Sequence, residues 1–588
     1  MLFGKHVNKF YIKYGLFFLL GVTALIVVDF FQLEIPEIVG KIVDGLEAKE
    51  LSNDTLKELM FRMMVIALVM FAGRFLWRIC IFGNGIKIES DLRNDMFKHM
   101  EKLSQKYYAE NNVGQLMALY TNDLNMIRQT FGMGTIMLVD ALCLGTLALI
   151  KMFKLNVLLT VVSLSSLIII TVFASIFGKK ITKYTKTNFE VYGRLTNFVQ
   201  ETFSGIGVVK AFVLEKIQMA RFGKRDIENM NSTLDITKAS AIMNTIINTI
   251  LSLVNITIIG YGAYVIYSKS NGDDVLFTIG DLTKFIAYFG TLIWPIESVG
   301  RLINLRSQGV ASLSRVSSVL DREPIINDNL VEEHRFHKIS GKIEYRDLSF
   351  AYPDGDNKRN VLNNITFTIN DGEFVGVIGA TGSGKTTIVD LLLRIYNIEE
   401  NKLFIDDIDI MKLPLKTVRE AIAYVPQDNF LFSDTIINNI AFSSESASRE
   451  KAIINAEIAD IKEDVLVFKD GFDTVLGERG VTVSGGQKQR ISISRALYKD
   501  AEILILDDSL SAVDTETEKN IINNLRRIRK GKTTIIIAHR ISTLKDLDKI
   551  IVVEDGNVTG VGKHEDLVVN NRFYSHEVEL QKLEEEED

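Results

Sequence analysis

The chain has 588 residues, too many for one domain, so at least two folding units are expected. It is 47% hydrophobic and 24% charged, and its mean hydropathy of +0.15 predicts membrane spans joined to a water-soluble part. The net charge of −7 gives no basis for a nucleic-acid partner. The two cysteines, Cys80 and Cys143, lie in apolar runs, which argues against a disulfide framework or a thiolate metal site.

Apolar runs dominate the first half of the chain. Residues 2–13 carry three lysines among apolar residues and predict a short basic helix on the inner membrane surface. The run from Gly15 to Leu33 has no small-residue cleavage site, so we expect an uncleaved anchor rather than a signal peptide. Further runs, each close to the roughly 20 residues that cross a bilayer, lie near 59–82, 134–152, 155–177, 243–267 and 283–303. Together these six runs predict six transmembrane helices.

Two connections between these runs are long, at about 83–133 and about 178–242. Both are polar, nearly free of proline, periodic like helices and rich in lysine. Because positive residues stay cytoplasmic, both connections and both termini are expected inside, with helices extending beyond the membrane. The composition predicts a transmembrane domain over 1–320, a linker over 321–340 and a soluble domain over 341–588.

Polar residues interrupt the predicted spans, and charges buried in lipid are expensive. The polar residues within the predicted spans are Asp29, Arg74, Arg78, Asp140, Asn244, Asn248 and Asn255. The three asparagines fall on one face of the fifth helix. Lining of a cavity and hydrogen bonding between helices both remain open for this set, and for Asp29 the cavity is favoured.

The segment Gly379–Thr386 fits the phosphate-binding P-loop pattern G-x-x-x-x-G-K-[ST]. An apolar strand precedes it and a helix follows, which is the context that this loop requires. Lys385 is expected to reach the β- and γ-phosphates, and the Thr386 hydroxyl to bind Mg²⁺. The predicted ATP-binding residues of this segment are Gly379, Ala380, Thr381, Gly382, Ser383, Gly384, Lys385, Thr386 and Thr387.

Other parts of the second half carry candidate nucleotide contacts. Tyr352 follows a strand pattern and could stack on adenine, although such an aromatic is more often a surface residue. Gln427 ends the strand 421–426 and could contact Mg²⁺ or the attacking water. Asp507 ends a buried strand as a metal-binding aspartate would, and Asp508 stands where a base would orient water. His539 ends another apolar strand and could contact the γ-phosphate.

A second phosphate-binding surface is predicted at the start of a helix over 491–498. It consists of Ser484, Gly485, Gly486 and Gln487. Since one nucleotide cannot easily use two such surfaces of one chain, this one is expected to face ATP held by a partner subunit.

Taken together, these motifs resemble an ATP-binding cassette (ABC) exporter of the half-transporter type, over nearly the whole chain. The resemblance implies a multidomain fold: an all-α, six-helix transmembrane domain followed by an α/β nucleotide-binding domain. It also implies ATP hydrolysis coupled to transport, ATP and Mg²⁺ as cofactors, and a multi-pass protein of the bacterial plasma membrane with its nucleotide-binding domain in the cytoplasm. Ser511–Asp514 resembles the family's D-loop, while Gly114-Gln115 with Asn122-Asp123, and Phe203–Phe212, resemble its two coupling segments.

Two positions depart from the family's pattern. The segment Ser484–Gln487 resembles the family's signature motif, and Val483 stands at its start where leucine is usual, which is a small change. Asp508 replaces the usual catalytic glutamate, and a side chain shorter by one methylene misplaces the base by about 1 Å, which costs on the order of 10²-fold in rate. The pattern therefore resembles one half of a heterodimer with unequal ATP sites, with a homodimer using a working aspartate as the alternative.

The leading hypothesis is export of amphipathic or drug-like small molecules by a pair of half-transporters within membrane lipid. Lipid flipping and peptide export use the same machinery and remain alternatives. An ATP-gated channel or a sensor subunit with little turnover is the alternative from another class, and Asp508 is the feature that favours it.

Overall fold

The computed structural model describes residues 4–270, 277–331, 338–352, 360–477 and 483–587. The chain divides into two compact units. One comprises Met1–Met100 and Val113–Arg322, and the other comprises Glu101–Asn112 and Glu323–Asp588. Residues 332–337 of the predicted linker lie outside the described residues.

The first unit is helical throughout its described part. Its helices are α1 (Asn8–Lys13), α2 (Gly15–Glu47), α3 (Asn53–Met100), α5 (Val113–Ala118), α6 (Leu124–Leu142), α7 (Leu144–Leu155), α8 (Val157–Ser204), α9 (Ile206–Ala211), α10 (Glu215–Ser270) and α11 (Ile279–Leu320). A π-helical turn over Leu119–Asp123 joins α5 to α6, and the short helix α4 (Gln105–Glu110) belongs to the second unit.

Within the part of the chain that the structure describes, four helical stretches are long and apolar enough to cross a membrane by length and composition. They are Gly15–Glu47, Asn53–Met100, Val113–Leu155 and Glu215–Tyr267. The other two predicted spans lie in α8 and in α11. In α8 the stretch Val157–Ser166 is apolar but shorter than a bilayer requires. Lys284, Glu297 and Arg301 lower the hydropathy of the predicted run in α11, which continues as helix through Pro295.

Several of these helices are far longer than a bilayer requires. At 1.5 Å per residue, the 48 residues of α3 or α8 span about 72 Å, whereas the hydrocarbon core is about 30 Å thick. This length agrees with the predicted cytoplasmic extensions. The basic helix α1 packs on one of them, where Lys9 Nζ lies 2.6 Å from Asp95 and Lys13 Nζ lies 2.5 Å from Asp91.

The second unit is an α/β structure built on two sheets. Its strands are β1 (Ile343–Phe350), β2 (Leu362–Ile369), β3 (Phe374–Ile378), β4 (Leu403–Ile405), β5 (Ile408–Asp409), β6 (Ile422–Val425), β7 (Ile503–Asp507), β8 (Thr533–Ile537), β9 (Lys549–Glu554) and β10 (Asn557–Gly562). Its further α-helices are α12 (Lys385–Leu392), α13 (Leu415–Ala421), α14 (Ile436–Ile440), α15 (Arg449–Ile458), α16 (Lys462–Val467), α17 (Gly485–Lys499), α18 (Thr515–Ile528), α19 (Ile541–Leu544), α20 (His564–Asn570) and α21 (Arg572–Glu587).

A six-stranded sheet in the order β10-β9-β3-β8-β7-β6 forms the centre of this unit. The strands from β9 to β6 are parallel, and every residue of β3, β7 and β8 is buried. Their mostly apolar sequences are typical of parallel strands covered on both faces. Because parallel strands end at one edge, the residues after β3, β6, β7 and β8 come together there.

The second sheet has four antiparallel strands in the order β2-β1-β4-β5. The alternating patterns near 342–352 and 362–369 predict an antiparallel sheet beside the P-loop core, and this prediction is confirmed. Its apolar face packs with one face of the central sheet in a shared core that includes Ile343, Phe367, Val377 and Ile505.

Candidate functional site

The P-loop connects β3 to α12 at the carboxyl edge of the central sheet. Gly382 and Gly384 have φ angles of +81° and +101°, which favour glycine over residues with a Cβ. A Cβ on Gly379 would lie 2.0 Å from the Val553 carbonyl oxygen, so no side chain fits there. The loop therefore needs glycine at these positions for backbone reasons.

Lys385 lies buried beneath this loop. Its Nζ donates to the carbonyl oxygens of Gly379 at 2.7 Å and Ala380 at 2.9 Å. Burial lowers the pKa of Lys385, and the neighbouring charges of Asp507 and Asp508 oppose that change. The buried Ser383 Oγ has no hydrogen-bond partner in the described part of the chain. A buried cation and a buried unused hydroxyl group are what a cradle for phosphate oxygens requires.

Asp507 ends β7 and is 2% exposed. The Tyr424 hydroxyl donates to its Oδ2 at 3.3 Å, and the Thr386 side chain also hydrogen-bonds to it. Burial raises the pKa of Asp507, while the Thr386 and Tyr424 hydroxyl groups act in the opposite direction. These hydroxyl groups favour the ionised carboxylate that a metal site needs.

The oxygen donors at this edge fit Mg²⁺, which prefers carboxylate and hydroxyl oxygens completed by phosphates and water. The three predicted ligands, Thr386, Gln427 and Asp507, all line one cavity. Among the described residues there is no group of three or more His, Cys, Asp or Glu side chains that could hold a metal ion by itself. Thr386, Gln427 and Asp507 would hold a metal here together with phosphate oxygens and water.

Asp508 follows with a φ of +46°, in the left-handed region that aspartate tolerates better than most residues. Its N–H donates to the Ile537 carbonyl oxygen at 3.0 Å, which ties the end of β7 to the end of β8. Its Oδ2 accepts a hydrogen bond of 3.2 Å from Gln427 Nε2. The two polar residues predicted to orient water are therefore hydrogen-bonded to each other.

His539 lines the same cavity two residues after β8. Gln581 of α21 holds its backbone, since Nε2 donates to the His539 carbonyl oxygen at 2.7 Å and Oε1 accepts from the Ile541 N–H at 2.7 Å. Sequence reasoning missed Gln581, because no local pattern links two residues 42 positions apart.

Tyr352 lies at another wall of this cavity, half-buried against Phe350 and Tyr396 at ring-centroid distances of 5.3 Å. Its hydroxyl group is hydrogen-bonded to Thr387 Oγ1 at 2.8 Å. Burial raises the pKa of Tyr352, and the Thr387 hydroxyl group opposes this. The ring is thus fixed to α12 as well as available to a ligand.

The cavity encloses about 280 Å³. It is lined by Tyr352, Val361, Thr381, Gly382, Gly384, Lys385, Thr386, Thr387, Gln427, Asp507, Asp508, Ile537 and His539. The structure thus brings together nearly all the residues predicted for one nucleotide. The predicted residues Gly379, Ala380 and Ser383 belong to the loop without lining the cavity.

The predicted second phosphate-binding surface, Ser484–Gln487, does not line this cavity. Ser484 caps α17 through a capping box: its Oγ accepts from the Gln487 N–H at 3.2 Å, and its N–H donates to Gln487 Oε1 at 3.0 Å. In this arrangement the Gln487 side chain supports the helix start, whereas Gly485 and Gly486 present bare backbone.

A chain of contacts connects α17 with Asp508. Gln489 Oε1 accepts from the Ala512 N–H at 3.0 Å, and Gln489 Nε2 donates to Ser511 Oγ at 3.4 Å. Ser511 Oγ in turn donates to the Asp508 carbonyl oxygen at 2.9 Å. Sequence reasoning missed the buried Gln489, although a glutamine on the apolar side of a helix is a signal for such a bond.

The polar residues of the predicted spans fall into two groups. Asp29, Arg74, Arg78 and Asp140 line one cavity of the helical unit. The three asparagines lie on α10, where Asn244 and Asn248 are exposed on this chain and Asn255 is partly buried. The structure thus brings the charged residues together but leaves the asparagines apart from them.

Comparison with known proteins agrees with this architecture. Residues 18–296 match the ABC transporter transmembrane region, and residues 362–511 match the ABC transporter domain. The structure of a bacterial Atm1-family ABC exporter with ATP bound covers 98% of both chains with a TM-score of 0.74 at 24% identity. This similarity supports the predicted fold, with a helical transmembrane domain before an α/β nucleotide-binding domain.

Three curated relatives cover most of the chain. The multidrug resistance-like ATP-binding protein MdlA of Escherichia coli strain K12 is 34% identical, over 96% of this chain and 94% of its own. The probable multidrug resistance ABC transporter ATP-binding/permease protein YheI of Bacillus subtilis is 33% identical, over 98% and 97%. The ATP-dependent lipid A-core flippase of Syntrophus aciditrophicus is 34% identical, over 89% and 85%.

These similarities span both halves of the chain and include the nucleotide-binding motifs. They support ATP hydrolysis coupled to transport, in a membrane-spanning protein of the bacterial plasma membrane. The chain therefore belongs to the ABC transporter family and has the type I exporter fold.

Proposed function

We propose that this chain is one half of a dimeric exporter that moves amphipathic, drug-like small molecules out of the cell at the expense of ATP. The proposal takes residues 1–320 as the transmembrane domain, 321–340 as the linker and 341–588 as the nucleotide-binding domain. Two relatives whose names contain multidrug resistance support this substrate class.

The observation that carries the dimer proposal is the separation of two phosphate-binding surfaces within one chain. The cavity with Lys385, Asp507 and His539 is not lined by Ser484 or Gly486. The P-loop cavity of this chain would form one ATP site with the signature segment of a second half-transporter. Ser484–Gln487 of this chain would form the other site with the P-loop cavity of that second subunit. Mg²⁺ would be held by Thr386, Gln427 and Asp507 together with the nucleotide's phosphates.

Exposed apolar side chains near α9 support the same pairing. Phe203 and Phe212 are 68% and 70% exposed on either side of this short helix, and Val208 within it is exposed too. An isolated chain would leave this apolar surface in water, whereas a second subunit would cover it. The segment is the one that resembles the family's second coupling segment.

Within the dimer we propose unequal ATP sites. This chain's own site would contain Asp508, whose side chain is one methylene shorter than that of glutamate. This site would therefore hydrolyse ATP slowly. The fast site would combine the partner's P-loop and glutamate with Ser484 and Gly486 of this chain. Asp507 is the Walker B aspartate of this chain. A partner with glutamate after its own Walker B aspartate differs in sequence from this chain, so the pair would be a heterodimer.

Transport in inside-out vesicles tests the export proposal. Vesicles containing the full transporter should accumulate a fluorescent amphiphile against its gradient when ATP is added. Vesicles in which this chain carries Lys385→Ala and its partner carries the same change at its P-loop lysine should not. ATP-dependent flux that only dissipates a gradient would contradict export and favour a gated channel.

Lipid flipping is the second candidate, because one relative is named as a lipid A-core flippase. The same vesicles separate the two functions. A fluorescent lipid that changes leaflet on addition of ATP, without accumulation of any water-soluble amphiphile, would favour the flippase.

A further inference from the structure

The helical unit contains a cavity of about 610 Å³ between α2, α3, α6 and α11. Its wall is largely apolar and aromatic, with Trp77, Phe82, Met133 and Trp294 among the lining residues. This volume lies within the range of about 300–1,000 Å³ that is usual for small-molecule sites. Size and lining thus suit an amphipathic organic molecule.

Two buried carboxylates lie in this cavity, and each has an oxygen with no hydrogen-bond partner in the described part of the chain. Asp29 is 3% exposed and its unpartnered atom is Oδ2. Asp140 is 7% exposed and its unpartnered atom is Oδ1, while Oδ2 accepts a hydrogen bond of 2.7 Å from Trp294 Nε1. Burial of such oxygens is unfavourable until a donor or a cation reaches them.

Two arginines of α3 line the same cavity but are exposed. Arg74 donates to Gln32 Oε1 at 3.5 Å, and the Arg78 guanidinium lies 5.6 Å from the Trp77 ring centroid. Their described contacts are therefore with an amide and an aromatic ring rather than with the carboxylates. The acidic groups are buried, whereas the basic groups lie exposed on the surface of this chain.

We propose that this cavity binds the cationic group of an amphipathic organic molecule, with Asp29 and Asp140 as its counter-ions. The indole rings of Trp77 and Trp294 would contact the apolar body of the ligand and stabilise its charge. The proposal rests on the proposed export function and adds the substrate class, lipophilic cations, to it.

Equilibrium binding of tetraphenylphosphonium tests this site, because tetraphenylborate is an anion of nearly the same size and shape. The full transporter is placed in nanodiscs of phosphatidylcholine, which is zwitterionic and has no net charge, and binding to empty nanodiscs is subtracted. The cation should bind more tightly than the anion. Asp29→Asn and Asp140→Asn, singly and combined, should weaken cation binding about tenfold or more, since they remove the counter-charges.

Glu58→Gln is the matched control, because it removes one negative charge from an exposed residue of α3 that pairs with Arg62. It should leave cation binding unchanged. Preference of the wild-type transporter for tetraphenylborate, or unchanged cation affinity in the double Asp29→Asn/Asp140→Asn variant, would overturn the proposal.

A second measurement leaves both aspartates in place, which covers the case of misfolded variants. In a background without Cys80 and Cys143, Thr291→Cys puts a thiol in the cavity lining. Tetraphenylphosphonium should slow its reaction with a small thiol reagent, and tetraphenylborate at the same concentration should not. Equal reaction rates with and without the cation would contradict binding in this cavity.

The vesicle assay distinguishes failure of this site from failure of the export proposal. ATP-driven accumulation of a neutral amphiphile, without specific binding of tetraphenylphosphonium, would leave export standing and remove the cation site. Specific cation binding that depends on the two aspartates, without uphill accumulation of any compound, would keep the site and remove export.

Discussion

Asp508 is the residue on which the proposed asymmetry depends. Gln427 holds its carboxylate and the Ile537 carbonyl group holds its backbone, so the residue is positioned in the cavity for the catalytic role that we propose. Its side chain is one methylene shorter than the glutamate that is usual there. Ser484, in contrast, begins α17 with its glycines intact. One chain thus combines an aspartate in place of the usual glutamate with a signature whose serine, glycines and glutamine are intact.

Substitutions at these two positions should have unequal effects in the purified complex. Asp508→Asn should lower steady-state ATP hydrolysis only modestly, because this chain's own site contributes little turnover. Ser484→Arg should reduce hydrolysis to near background, because its bulk and charge would block the partner's fast site.

The decisive comparison is with glutamine at the partner's catalytic glutamate, in the same complex and assay. That change should remove most of the hydrolysis. If Asp508→Asn removes as much, Asp508 is a working base and the unequal-site proposal is wrong.

Asp390 of α12 is a further acidic residue, close enough to Asp507 for the two charges to interact. Burial raises its pKa to about 6 from an ordinary value of 3.8, and the charge of Asp507 adds to this. Because the folded state binds this proton more tightly than the unfolded state does, the contribution of Asp390 to stability is fully present below about pH 4 and is lost as pH rises through about 6.

Asp390→Asn should therefore stabilise the protein above pH 6, by about 1–3 kcal/mol in the free energy of unfolding of the nucleotide-binding half. The melting temperature of the full-length chain, measured without nucleotide between pH 5 and pH 7.5, should show the gain over wild type increasing with pH. The exposed Asp371→Asn is the control and should give no such trend. A gain in melting temperature that is constant with pH would contradict a raised pKa for Asp390 in the folded protein.

At the scale of elements, the start of α17 depends on close packing against Ser511–Asp514. A Cβ on Gly486 would lie 2.9 Å from the Ala512 carbonyl oxygen, whereas a Cβ on Gly485 would lie 3.8 Å from the nearest atom, the Ala512 Cβ. The two adjacent glycines thus differ in what a methyl group would meet. Since the Ala512 N–H is bonded to Gln489 of the same helix, the loop cannot easily withdraw.

Gly486→Ala should displace the loop, lower hydrolysis at the partner's site about tenfold or more, and reduce stability by about 1–3 kcal/mol. Gly485→Ala should be close to wild type in stability, because alanine favours the helix and fits without overlap. Hydrolysis and melting temperature of both variants provide the measurement. Equal effects of the two substitutions would show that the close approach to Ala512 is unimportant.

The meeting of the nucleotide-site residues at one edge of the sheet was predictable in outline, because the P-loop, Gln427, Asp507 and His539 each follow an apolar strand. Parallel strands place such residues at one edge, which is where the structure has them. The partners of Gln489 and Gln581 were not predictable, since the two bonds join residues that lie 23 and 42 positions apart. Hydropathy also gave no sign that Glu101–Asn112 groups with the C-terminal unit, because it reports polarity and not packing.

At the scale of the whole molecule, the chain should not work alone. An affinity-tagged copy, expressed in its native host, should co-purify with an untagged half-transporter that carries glutamate after its Walker B aspartate. Mass photometry should then give one complex with one copy of each chain, and the isolated chain should hydrolyse ATP far more slowly than the pair. A homodimer of tagged chains with full hydrolysis would contradict heterodimer formation.

In the membrane half, the sequence predicted six spans and a polar path but could not say which charges meet. Asp29 and Asp140 lie on different helices, and only their packing reveals a shared cavity. The spacing of the three asparagines of α10 predicts a common face, but Asn244 and Asn248 are exposed on this chain whereas Asn255 is partly buried. Periodicity shows which face a residue occupies, whereas the neighbour across that face depends on the tertiary structure.

The positive φ at Asp508 has a consequence for how position 508 tolerates variation. Glycine, asparagine and aspartate enter the left-handed region at low cost, whereas β-branched residues do so at high cost. A library randomised at this codon and selected for folding alone would return the first three residues, whatever their chemistry. The backbone accepts aspartate and asparagine almost equally, and with unequal ATP sites selection for transport should also recover both, because this chain's own site contributes little turnover. Retention of the carboxylate alone would report on catalysis and not on architecture, and it would contradict the unequal-site proposal.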